Sequence, residues 1–261
     1  MVRLPLSTSE TKPTAGKAAY AKYAVGGVVL IVLGTLAVFG VKQHWRTIEQ
    51  NASKDNLTQL AKALKDYNDE NKHLPGQLLD PKTEQPLLSW RVLLLPFLGE
   101  KELYEQIRLD EAWDSAHNRQ FWNRMPAVYQ LPGKPSDGMT YYQVFHGDRA
   151  LFGNDKRHIG GRLYNCPRYK LQTIPDGSSA TIFAVEAAEA VNWMKPQDIP
   201  FERRPEGTSW ALLGDHWGDG TCRVVLCDGS VVPINRQTVS PIKLQEAIDP
   251  ADGPPPIGDW Q

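Results

Sequence analysis

Residues 24–41, AVGGVVLIVLGTLAVFGV, run for eighteen positions without a charge. Wound as a helix at about 1.5 Å per residue, such a run covers most of a hydrocarbon core about 30 Å thick. Tyr23 and Trp45 stand where interfacial aromatics belong. The reading is a transmembrane helix over 23–42. A cleaved secretory signal is the competing reading, but the run is longer than a usual signal core and no Ala-x-Ala site follows it. Arg3, Lys12, Lys17 and Lys22 precede the span and Lys42, Arg46 and Lys54 follow it, so charge sets orientation only weakly. The bulk of the chain lies after the span, which places the N-terminus in the cytoplasm and the folded mass across the membrane. Residues 1–22, rich in Ser and Thr, read as a cytoplasmic tail.

Residues 46–72 contain neither Gly nor Pro. Ile48, Leu57, Leu60, Ala61, Leu64 and Tyr67 share one helical stripe, with charges elsewhere. The span and this amphipathic stretch are therefore expected to form one helix, stopped by Pro75 and Gly76. Beyond it, 87–98, LLSWRVLLLPFL, is too apolar for a surface, and short helices are expected over 100–107 and 116–124, the latter capped by Asp114 or Ser115. From Thr140 onward the period changes to two. Strands are expected over 141–145, 180–186, 209–213, 222–227 and 230–234 in an antiparallel sheet. Asp228-Gly229 between β-branched runs is the favoured pair for a two-residue hairpin turn. The fold class is α+β, with a head over 43–245 and a loose Pro-rich tail over 246–261.

Five blocks carry a family resemblance: NLTQLAKALKDYNDENKHLPG at 56–76, SWRVLLLPFLGEKELYEQ at 89–106, WDSAHN at 113–118, PDGSSATIFAVE at 175–186, and the stretch from His216 to Asp228-Gly229. Together they resemble the bacterial prepilin-type domain family of unknown function, common in planctomycetes, with a His, nine residues, Asp-Gly signature. The resemblance implies a type IV pilin-like or pseudopilin-like head on a long helix, and His216, Asp228 and Gly229 as its signature residues. Two features depart from the pattern. No Gly-Phe-Thr-Leu-Ile-Glu site precedes the apolar run and the run holds no acidic residue, while eleven residues separate His216 from Asp228. The expectation is a permanently anchored relative.

With 29 basic against 30 acidic side chains and a net charge of −1, the chain lacks the basic excess of a nucleic-acid binder. Cys166, Cys222 and Cys227 do not stand at zinc spacings, and Cys222 and Cys227, on one strand, point to opposite faces. Cys166 is either a buried thiol or paired with one of them. Asp215, Asp219 and Asp228 are oxygen donors around His216 that suit calcium, although each also suits a turn. Trp193 and Trp217 are the candidates for an exposed binding surface. Glu186 and His216 would have to meet for hydrolysis, and no nucleophile elbow, P-loop or dinucleotide fingerprint is present. The function expected is a non-catalytic, membrane-anchored structural or interaction component of a bacterial envelope assembly, with lipid, other envelope proteins or further copies as partners. The alternative is an extracytoplasmic carbohydrate- or ligand-binding domain.

Overall fold

The computed structural model describes residues 15–253, with side chains from residue 33 onward. The chain divides into two compact units, Met1–Ile48 and Glu49–Gln261, and helix α1, Ala15–Asn71, contributes to both. Among the described residues no helix is long and apolar enough to cross a membrane. The first half of the expected span, 23–32, lies outside the residues whose side chains are described, as do all of the 1–22 tail and 254–261.

In the second unit the α1 stripe does what its spacing demands: Leu57, Leu60, Ala61, Leu64 and Tyr67 are buried, while Ile48, assigned to the first unit, is exposed. The helix stops earlier than Pro75. Lys72 turns into the left-handed region at φ 61° and its N–H bonds the Asn68 carbonyl, closing the last turn without a glycine.

The sheet that α1 covers is antiparallel, in the order β10-β9-β7-β3, from Val231–Asn235, Thr221–Leu226, Ile182–Asn192 and Met139–Gln143. Its alternation is clean. Val225 and Cys227 belong to the core that holds the α1 leucines, whereas Cys222, Val224 and Leu226 belong to a second core on the opposite face. All three cysteines are free and buried, so Cys166 is a packed thiol rather than half of a disulfide. The second core is closed by α4, Pro241–Ile248, whose N-cap Ser240 accepts from Lys243 N–H.

This corrects the C-terminal boundary. Ala247, Ile248 and Asp249 are buried, and the Asp249 carboxylate meets Arg149 at 2.7 Å, so the fold continues past residue 245. A further antiparallel sheet, β2-β1-β6-β5, is formed by Pro86–Leu88, Gln77–Leu79, Arg162–Cys166 and Asp155–Ile159. β4, Phe145–His146, and β8, Ile199–Pro200, make a short parallel pair. The strand expected at 209–213 is instead a 3-10 turn, Trp210–Leu212, because Ser209 Oγ accepts from Ala211 N–H and caps it, leaving only Leu213 bridged to Ala187. The apolar stretch 87–98 is largely buried and holds the short helix α2, Trp90–Leu93, and the helix expected over 100–107 forms as α3, Lys101–Gln106.

Candidate functional site

The signature residues bracket β9. At one end Cys227 N–H bonds Thr181 O and Asp228 N–H bonds Ser178 O, which ties the hairpin to the start of β7. The hairpin tip differs from the expected two-residue turn. Gly229 N–H bonds Leu226 O and Leu226 N–H bonds Ser230 O, so three residues form the loop, with only Gly229 left-handed, at φ 93°. That is a tight turn followed by a glycine bulge. Asp228 Oδ1 accepts from Ser230 N–H and Oγ–H, a turn role that uses its oxygen locally. Gly229 lies against the helix: a Cβ placed there would be 3.8 Å from Ala61 Cβ.

At the other end His216 Nε2 lies 2.9 Å from Ala187 O on β7. A carbonyl only accepts, so Nε2 carries the proton. Burial lowers the His216 pKa and keeps the ring neutral. Tyr141 packs edge-on to it at 4.7 Å. Gly214 makes the approach: a Cβ there would lie 2.1 Å from His216 Nε2 and 2.7 Å from Ala187 O. Gly214→Ala is expected to push the imidazole off the strand and cost about 1–3 kcal/mol, the usual range for overpacking. Thermal unfolding checks this, and an unchanged melting temperature would count against the contact.

The loop after His216 reaches the helix. Trp217 Nε1–H donates to Glu49 Oε2 at 3.2 Å, and Gln50 Nε2 donates to Asp219 Oδ2 at 2.9 Å. One turn on, Ser53 Oγ donates to Glu186 Oε1 at 2.5 Å and lies 2.8 Å from the Tyr142 hydroxyl. Ser53 has one proton to give, so Tyr142 donates to Ser53. Glu186 Oε2 accepts from Arg223 N–H at 2.9 Å, with the guanidinium 3.9 Å from Oε1 and over the Trp217 ring. Glu186 is buried, and that burial raises its pKa to about 7. The arrangement is a latch: His216 holds a loop on β7, that loop bonds Glu49 and Gln50 of α1, and Glu186 and Tyr142 of the sheet bond Ser53.

Several expectations are corrected here. Trp193 is 0% exposed, its Nε1–H bonded to Trp122 O, and Trp217 is 7% exposed, so neither offers a binding surface. Both indoles find their acceptors inside the fold. Asp215, Asp219 and Asp228 do not assemble a calcium site. Asp215 Oδ1 accepts from Asp219 and Gly220 N–H, Asp219 Oδ1 accepts from Thr221 N–H, and Asp228 is at the far end of β9. Among the described residues no group of three or more His, Cys, Asp or Glu side chains is placed to hold a metal. Glu186 and His216 bond to different partners, so the pairing that hydrolysis requires is not formed.

Residues 50–217 match the family described as a protein of unknown function, DUF1559. The chain belongs to that family. The DUF1559 match starts within the latch segment of α1 and ends at Trp217, one residue past His216, so Asp228 and Gly229 lie beyond it. No curated protein and no solved structure matches the chain.

Proposed function

We propose that this DUF1559 protein is a membrane-anchored, pilin-like structural or interaction component of a bacterial envelope assembly. Its N-terminus is cytoplasmic, its folded unit extracytoplasmic, and it carries out no catalysis. One observation carries the reading. Leu33, Leu36, Val38, Phe39 and Val41, within the uncharged run that begins at residue 24, are all exposed on α1, with Phe39 at 69%, and Trp45 beyond it is exposed too. A row of large apolar side chains facing outward suits lipid or packed helices rather than water. Partners are then the bilayer and other envelope proteins or further copies of this chain. The latch supports the same reading, because a helix that transmits assembly forces must be fixed to its folded unit.

The full-length protein, expressed in a bacterial host, is expected to stay with membranes through alkaline carbonate washing. Leu33→Asp with Leu36→Asp is expected to release it, since each central Asp costs about 2.5–3.5 kcal/mol of insertion. Complete extraction of the unaltered protein by carbonate would overturn the reading.

A further inference from the structure

The β2-β1-β6-β5 sheet and the β4–β8 pair enclose a cleft of about 400 Å³, at the small end of the range for ligand sites. It lies entirely within the Glu49–Gln261 unit, away from the latch. Its chemistry follows from strand register. Gln77 and Lys156 are both cross-strand neighbours of Asn165, so the three side chains form one row on one face of the sheet. His146 and Gln197 face them from the other wall.

The row is not satisfied from within. Gln77 is 8% exposed and lines the cleft, but it is not among the side chains sealed from solvent without a partner. Asn165 turns Nδ2 toward His146 Nε2 at 3.1 Å, while its buried Oδ1 has no partner. Leaving the Asn165 oxygen unpaired costs about 1–3 kcal/mol, a cost that an apolar residue there would avoid. The lining is electrically balanced. Lys156 pairs with Glu84 at the rim, and Asp198 at the floor is matched by Arg91. Burial lowers the pKa of His146, so that ring adds no charge. Leu79, Pro196 and Pro200 supply apolar surface beside the amides. Donors and acceptors without net charge, next to flat apolar patches, match a molecule with hydroxyls around its edge and C–H groups on its faces.

We propose that this cleft binds a neutral mono- or disaccharide, held by the amides of Gln77, Asn165 and Gln197 and packed against Pro196 and Pro200. This goes beyond the anchoring role and does not depend on it.

The test uses the full chain in a polyether detergent, which carries no sugar, titrated with glucose, N-acetylglucosamine and chitobiose by calorimetry and saturation-transfer NMR. At least one is expected to bind with a Kd below about 10 mM. Gln77→Leu is expected to weaken that binding at least about tenfold while the melting temperature holds, because leucine keeps the side chain's bulk and removes only the amide that lines the cleft. Gln197 is exposed, and Gln197→Ala is expected to weaken binding with no effect on folding. The proposal is overturned if none of the three sugars binds, if binding survives both substitutions, or if glucosamine 6-phosphate binds more tightly than the neutral sugars.

Discussion

Arg91→Ala is expected to cost about 3–5 kcal/mol of folding stability, the range for stranding one member of a buried ion pair. The guanidinium is fully buried, and each of its nitrogens is bonded: Nη2 meets Asp198 Oδ1 at 2.6 Å, Nε and Nη2 donate to Tyr142 O, and Nη1 donates to Ser89 Oγ. It also lies 4.8 Å from the Trp90 ring centroid. With alanine at 91, Asp198 keeps Trp90 Nε1–H and Val144 N–H but loses the one cation that pairs with it among the described residues. Burial already raises the Asp198 pKa, and removing Arg91 takes away the main force opposing that rise. For a domain whose total stability is about 5–15 kcal/mol, the loss is a large share. Arg91→Met with Asp198→Leu is expected to recover much of it, because no charge is then left buried. Urea unfolding of both variants decides the matter: an alanine cost under about 1 kcal/mol, or a double variant no better than the single, would show that the pair does not hold this part of the fold.

The second large effect is a pH dependence centred on Glu186. Its ordinary pKa is 4.5 and burial lifts it to about 7 in the fold, opposed by Ser53, Arg223 N–H and the Arg223 guanidinium. Between those values the folded chain binds a proton that the unfolded chain has released, so stability falls as pH rises. The contribution is full below about pH 4.5, declines through pH 7 and is lost above it, a swing of about 3 kcal/mol at 1.36 kcal/mol per unit. Glu186→Gln is expected to flatten that limb and to be the more stable form at pH 8. Urea midpoints at pH 5 and pH 8 measure this, and equal slopes in both proteins would refute the assignment. Because Ser53 is the helix residue bonded to Glu186, ionisation acts first on the seat of α1.

How much of this the sequence disclosed depends on whether the deciding contact leaves a periodic trace. The α1 stripe and strands β3, β7, β9 and β10 were legible because burial on one face repeats every 3.6 or 2 residues. The hairpin Asp155–Ile159 with Arg162–Cys166 was missed although Gly160 and Gly161, both left-handed, form its two-residue turn. Its alternation was hidden by Asp155, Lys156, Arg157 and His158 in a row. Helix α4 was missed, and its last three residues fell in the expected tail, because it is only eight residues long, although Ser240-Pro241 is a regular helix start.

The site was half visible. His216 stood out as a signature residue, yet its partner is a backbone carbonyl, which no side-chain pattern can announce. Arg91 inside an apolar run demanded a buried anion, but Asp198 lies 107 positions away. Trp193 and Trp217 looked superficial because polar residues flank them in sequence, whereas each indole N–H is spent inside. The amides of the cleft carry no pattern of their own, since β1 and β6 were not recognised as strands, and only the register shows that Gln77 and Asn165 share a wall.

The latch also sets the order of events during synthesis. Gln50 waits for a partner 169 positions later, Glu49 for one 168 positions later, and Ser53 for one 133 positions later. At about 5–20 residues per second, the leucine stripe of α1 emerges on the order of ten seconds before the strands that cover it. Throughout that interval Leu57, Leu60 and Leu64 are open to neighbouring nascent chains, and non-local closure of this kind is slow. The N-terminal helix, first to be made, is thus completed late, and any chain terminated before the β9–β10 hairpin lacks Val225 and Cys227 from the core its leucines belong to.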